Sequence, residues 1–151
     1  MVQLRYRGKN VYGWSLIRDD NSICFPPEAI DEYKLNGDAN IVLFTASKTS
    51  GGFCISKFDT LKSSGLSHII NDNPELERDT GRIVGYKGKS YCHLQMSGNG
   101  VELSCEIMDH FDLKTEDKLL IIKGSNIAFD CIVKGPLVDM ANESEKDIGI
   151  Y

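Results

Sequence analysis

Residues 23–35 read Ile-Cys-Phe-Pro-Pro-Glu-Ala-Ile-Asp-Glu-Tyr-Lys-Leu. Residues 101–113, a constant 78 positions later, read Val-Glu-Leu-Ser-Cys-Glu-Ile-Met-Asp-His-Phe-Asp-Leu. Extended to residues 47 and 125, the overlay gives identities at Glu28/Glu106, Asp31/Asp109, Leu35/Leu113 and Ser47/Ser125. Apolar residues coincide at Ile23/Val101, Phe25/Leu103, Ala29/Ile107, Ile30/Met108 and Tyr33/Phe111, then along Ile41–Phe44 over Leu119–Ile122. A repeated core pattern in register with repeated charges marks an internal duplication. It continues downstream, where Cys54-Ile55-Ser56-Lys57 resembles Cys131-Ile132-Val133-Lys134 after a one-residue shift. Upstream, Tyr6-Arg7-Gly8-Lys9 resembles Tyr86-Lys87-Gly88-Lys89.

Each unit reads as strand, strand, short helix, strand, strand. Val11 to Ile17 has strand composition, Asp19 to Ser22 is turn chemistry, and Ile23 to Phe25 makes a short second strand. Ser97-Gly98-Asn99-Gly100 is the matching turn of the second unit. Pro26-Pro27 suits the first turn of a helix, where a missing N–H costs little, and Ser104 is the corresponding N-cap. Helices this short hold only when docked on strands. The unbroken apolar runs Ile41–Phe44 and Leu119–Ile122 suit strands buried on both faces or closed in a barrel. The chain therefore divides into a first repeat (1–57), a connector (58–81) with one helical turn, a second repeat (82–137) and a polar tail (138–151) expected to fray.

Charge is distributed unevenly over the 151 residues. Arg5, Arg7, Lys9 and Arg18 occur in residues 1–18 with no acid, and Arg82, Lys87 and Lys89 in residues 80–101 with no acid. Seven positive charges thus sit in two segments, so the rest of the chain carries −12 against a net −5. The basic segments occupy equivalent places in the repeats and are the candidate polyanion-binding face. An acidic pI near 5.2 excludes indiscriminate coating of nucleic acid. No run approaches the roughly 18–20 apolar residues of a membrane span, so no membrane partner is expected. Met1 to Lys9 is charged and no apolar h-region follows, so no signal peptide is expected. Five cysteines without a C-x-x-C pair indicate reduced thiols and a cytoplasmic location.

The pattern Ile-x-Phe-Pro-x-Glu-Ala-Ile-x-x-Tyr-x-Leu-x-Gly-Asp, beginning at Ile23 and followed by apolar strands, resembles the AbrB-like swapped-hairpin family. Two units in one small chain are similar to the tandem arrangement of MraZ regulators. The second unit departs from the pattern, with Ser104 and Cys105 in place of the prolines and Glu116-Asp117 in place of Gly-Asp. The resemblance implies a mainly β fold with short helices, two tandem swapped-hairpin units forming a small β-barrel. It also implies a cytoplasmic DNA-binding transcriptional regulator, sometimes the antitoxin half of a toxin pair. Basic residues of the first hairpin would then face double-stranded DNA: Arg5, Arg7, Lys9 and Arg18, with Arg82, Lys87 and Lys89 in the second unit. A homo-oligomer is compatible with such units. The alternative is a protein-interaction or antitoxin-like module that has lost DNA binding and engages a basic protein partner through its acidic surface.

No catalytic, cofactor or metal site is expected. His68, His93 and His110 are scattered, and adjacent Cys92 and His93 point to opposite faces of a strand. Glu28/Asp31 and Glu106/Asp109 lie near helix starts, where the dipole favours acids. The glycine-rich turns do not lead into helices as a phosphate-binding loop requires. Alternation puts Tyr12, Trp14 and Leu16 on one strand face, which assigns these aromatics to packing rather than to base stacking.

Overall fold

The structure, a computed structural model, describes residues 4–6, 9–143 and 148–151, with side chains from residue 10 onward. The first repeat runs β1 (Leu4–Tyr6), β2 (Lys9–Leu16), β3 (Ser22–Cys24), α1 (Pro27–Glu32), β4 (Asn40–Thr45) and β5 (Phe53–Lys57). Three short helices follow: α2 (Phe58–Lys62), α3 (His68–Asn71) and α4 (Pro74–Arg78). The second repeat retraces the first as β6 (Ile83–Tyr86), β7 (Lys89–Gln95), β8 (Gly100–Glu102), α5 (Cys105–His110), β9 (Lys118–Lys123) and β10 (Ala128–Ile132). Helix α6 (Pro136–Glu143) closes the order. Among the described residues no helix is long and apolar enough to cross a membrane.

The local signals explain the helices. Pro27 sits in the first turn of α1, and the Ser104 hydroxyl accepts the Ile107 N–H at 3.2 Å to cap α5. Both helices end the same way. Lys34 and Asp112 take φ of 55° and 53°, and the next N–H, of Leu35 or Leu113, returns to the carbonyl of Ile30 or Met108.

The strands form an antiparallel sheet in the order β1-β2-β9-β10-β5-β4-β7-β6, and β3 pairs with β8 in a separate ribbon. The order reads the same from either end once the repeats are exchanged. β2 pairs with β9 of the second repeat, β7 with β4 of the first, and β5 with β10 at the centre. Neither repeat's first hairpin, β1–β2 or β6–β7, lies beside its own later strands.

One large core fills the face covered by α1, α5 and the β3–β8 ribbon. It holds Ile41, Leu43, Phe53 and Ile55 from one repeat and Leu119, Ile121, Phe129 and Cys131 from the other. Two ring contacts express its symmetry. Tyr33, at the end of α1, packs on Phe129 at 5.2 Å between centroids, and Phe111, at the end of α5, packs on Phe53 at 5.9 Å. Each helix thus grips the last strand of the other repeat.

The opposite face of the sheet is buried too. Phe58, Leu61, Ile69, Ile70 and Leu76 of the connector cover Val42, Val84 and Tyr91, while Val138 and Ala141 of α6 cover Val11, Trp14, Leu120, Ile122 and Ile132. Burial on both faces accounts for the unbroken apolar runs of β4 and β9.

Four sequence expectations are modified. The connector carries three short helices rather than one turn, because its apolar residues have a sheet face to cover. The tail is ordered in two described parts: α6 packs on the sheet, and residues 149–151 bond to β2 through Trp14 N–H to Gly149 O (2.8 Å) and Leu16 N–H to Tyr151 O (2.9 Å). Cys54 does not match Cys131. It lies directly opposite Asp130, so the repeats align one residue further on, Phe53 with Phe129, where the burial patterns coincide. Tyr12 and Trp14 lie on opposite faces because a register shift between Val11 and Gly13 adds a residue and inverts the alternation. Alternation does hold in β7, where Cys92 joins the large core and His93 contacts Phe58 on the other face.

Gly100 marks the closest crossing of the β3–β8 ribbon. A Cβ there would lie 1.9 Å from the Ile23 carbonyl oxygen, whereas one at Gly65 would meet nothing within 4 Å. Gly100→Ala is expected to cost about 2 kcal/mol or more through forced backbone displacement. Ser104→Ala should cost about 1 kcal/mol by uncapping α5. Gly65→Ala should stay within about 0.5 kcal/mol of wild type. Urea midpoints of the three variants check this ranking.

Candidate nucleic-acid interface

The two first hairpins form the outer edges of the sheet, β1–β2 at one end and β6–β7 at the other. Their registers are identical. Tyr6 pairs with Lys9 and Tyr86 with Lys89, with two residues between the paired positions in each arm. In the second arm those residues are Lys87 and Gly88, with φ of 48° and 81°. Positive φ at both central positions is the turn geometry that matches the twist of paired strands, and glycine adopts it without strain. In the first arm the corresponding residues, Arg7 and Gly8, lie outside the described residues, as do the side chains of Arg5 and Lys9.

The second arm is braced from one side. The Tyr86 hydroxyl donates to Asp72 Oδ2 at 2.6 Å, which ties the arm to the connector and raises the Tyr86 pKa. Its ring faces Tyr91, and the Lys87 ammonium lies 5.2 Å from the Tyr86 ring centroid. Lys87 and Lys89 are both exposed at the tip.

The other two basic residues stand apart. Arg82 lies at the base of the arm, with its guanidinium 3.2 Å from Asp79, and Arg78 approaches the same carboxylate at 3.4 Å. These arginines hold the Asp79 carboxyl below its ordinary range, the Arg78 hydrogen bond being the larger cause. Arg18 follows the far end of β2, separated from Lys9 by the length of the strand, about 23 Å at roughly 3.3 Å per residue. It borders a groove of about 270 Å³ with Ser22, Ser97 and Glu102 on the β3–β8 ribbon. Of the seven sequence candidates, Lys87 and Lys89 share the tip of the second arm and Arg18 and Arg82 stand apart, while Arg7 and the side chains of Arg5 and Lys9 lie outside the described residues.

A polar latch couples the first hairpin to both repeats. The Tyr12 hydroxyl of β2 donates to Glu32 at the end of α1, and Lys123 of β9 binds the same carboxylate at 3.1 Å. Beside it the Tyr33 hydroxyl donates to Ser125 O at 2.6 Å and Ala128 O at 3.0 Å, pinning the β9–β10 turn. Burial opposes ionisation of Glu32, but the bonds from Tyr12 and Lys123 hold its carboxyl below the ordinary range. Burial raises Tyr12, reinforced by its bond to Glu32 and by Tyr33, and pushes Tyr33 up to about 12. Nothing in the sequence linked Tyr12, Glu32 and Lys123, because strand exchange alone makes them neighbours. Among the described residues no group of three His, Cys, Asp or Glu side chains could hold a metal ion.

No family model matches this sequence, and no curated protein or solved structure matches it.

The tyrosine shifts predict an alkaline effect. A raised folded-state pKa contributes stability that is intact below the unfolded value near 10 and is lost as pH rises beyond it. Tyr12→Phe should lower the urea midpoint at pH 8, where the bond to Glu32 is lost, and should flatten its decline between pH 8 and pH 11. Urea titrations of both proteins at several pH values measure this. An unchanged decline would remove Tyr12 from the alkaline transition.

Proposed function

We propose that the chain is a DNA-binding transcriptional regulator of the AbrB-like type, its two repeats acting as swapped-hairpin units around one shared, barrel-like core. The basic hairpin tips contact the duplex. The observation that carries this reading is the duplicated arm: the sequence Tyr-x-Gly-Lys recurs, and the strands flanking it pair in the same register at both outer edges of a sheet with twofold-like order. Twofold-related basic arms suit a duplex with two half-sites. Lysines at a tight turn supply point charges to phosphates, and arginines in the first arm add forked contacts to phosphate or guanine. The acidic balance of the remaining chain limits binding to the arms and makes affinity sensitive to salt.

The competing reading is an interaction module that binds a basic protein partner. Asp79, which sequesters Arg82, and the net charge of −5 favour it.

Fluorescence anisotropy of random and promoter-derived duplexes between 50 and 200 mM salt separates the two, these being roughly the limits over which phosphate-driven affinity changes most. Affinity should fall with a log–log slope of about −0.9 per neutralised phosphate. Lys87→Glu with Lys89→Glu should reduce the magnitude of that slope by about 2 and weaken all sequences alike. No binding at low salt, or binding indifferent to these reversals, contradicts the DNA reading and favours the interaction module.

A further inference from the structure

A cleft of about 180 Å³ opens where three segments meet: the turn after α1, the junction of β5 with α2, and the β9–β10 turn. Lys34 and Thr60 line it, with Lys57 and Asn126. Among the described residues, none of these four side chains has a hydrogen-bond or ion-pair partner. Two lysines, an asparagine and a threonine thus line one semi-enclosed space. The one acid on the wall, Glu32, is already bound by Tyr12 and Lys123. Tyr33 and Ile127 form the remaining wall, and Tyr33 holds the β9–β10 turn in place through its two carbonyl bonds.

The repeat supplies an internal control. Positions equivalent to Lys34, Asn126 and Lys57 in the other half are Asp112, Lys48 and Val133, by the offsets of 78 and 76 that align helices, turns and last strands. Asp112 has the same left-handed backbone as Lys34, so the fold there requires neither a lysine nor a positive charge. The pairing of Lys34 with Lys57 exists in one half only. A second, wider cavity of about 460 Å³ adjoins the cleft, sharing Lys57 and Thr60 and continuing past Asp59, Ser63 and Ser64.

We infer that this cleft binds the phosphate group of a small phosphorylated metabolite, with the hydroxyl-bearing remainder lying over the adjoining cavity. The volume accommodates a phosphate. Lysine ammoniums recognise phosphate as point charges, while Thr60 and Asn126 donate hydrogen bonds that fix its orientation. Asp59 and Ser63, at the wider cavity, accept from or donate to sugar hydroxyls. Because the walls come from the first repeat, the connector and the second repeat, occupancy draws the β9–β10 turn against α1 and α2.

The test is a titration of the full chain with inorganic phosphate and with ribose 5-phosphate, followed by amide NMR at constant ionic strength, with chloride as the control salt. Saturable shifts confined to the amides around Lys34, Lys57, Thr60 and Asn126, tighter for ribose 5-phosphate, support the site. Lys57→Glu should abolish them while leaving the rest of the spectrum in place, and Lys57→Arg should retain them. Shifts equal to those with chloride, or undiminished in Lys57→Glu, overturn the proposal. A duplex arm distinguishes the source of the phosphate. Lys57→Glu should leave DNA affinity unchanged. Parallel loss of duplex binding overturns the metabolite assignment and makes Lys34 and Lys57 part of the DNA interface.

Discussion

The pairing of β2 with β9, and of β7 with β4, is the constraint on which the rest depends. Each first hairpin pairs with a strand of the other repeat. Neither half has a finished sheet alone: without the exchange, β4 and β9 would each present an apolar edge and two apolar faces. The reciprocal contacts of Tyr33 with Phe129 and Phe111 with Phe53 reinforce the exchange, since each helix is seated on its partner's final strand. The folded unit is therefore an intramolecular counterpart of a dimer, with β5–β10 pairing and the β3–β8 ribbon along its axis.

Exchange also sets where chemistry can occur. It places the β1–β2 and β6–β7 hairpins at opposite edges of the sheet. It also leaves the arms unequal. The second is tethered through Tyr86 to Asp72, while the first runs beside the segment 149–151 that bonds to the later part of β2. The repeats keep apolar character at matching core positions and differ at several surface side chains. Lys34 faces no lysine counterpart in Asp112, and the Tyr12–Glu32–Lys123 latch has its place taken in the other half by His110, whose Nε2 meets the Ser90 hydroxyl at 2.8 Å. Apolar character retained inside is expected when packing constrains the interior.

The duplication, the helix starts at Pro27 and Ser104, and the two-sided burial of Ile41–Phe44 and Leu119–Ile122 were legible because they are local or periodic signals. The phase of β2 was not legible. One inserted residue near Gly13 sends Tyr12 and Trp14 to opposite faces, and no composition rule announces it. The match of Cys54 with Cys131 failed because residue identity misled where burial pattern was the better guide. Of the basic candidates, Lys87 and Lys89 do share one exposed tip, whereas Arg82 was removed from it by an acid three residues away. The cleft between Lys34 and Lys57 was invisible because its walls are separated in sequence and meet only through the exchanged topology.

The central claim is that the two repeats form one cooperative unit by exchanging hairpins, and equilibrium unfolding tests it directly. Trp14 is the only tryptophan, lies in the first hairpin and pairs with Leu120 of the second repeat, so its fluorescence reports the junction. The account predicts that Trp14 fluorescence and far-ultraviolet circular dichroism follow one coincident urea transition. Leu43→Ala in the first repeat and Ile121→Ala in the second should each move the whole of that transition by about 2–5 kcal/mol. Two separable transitions, with each substitution moving only the one belonging to its own repeat, would contradict it.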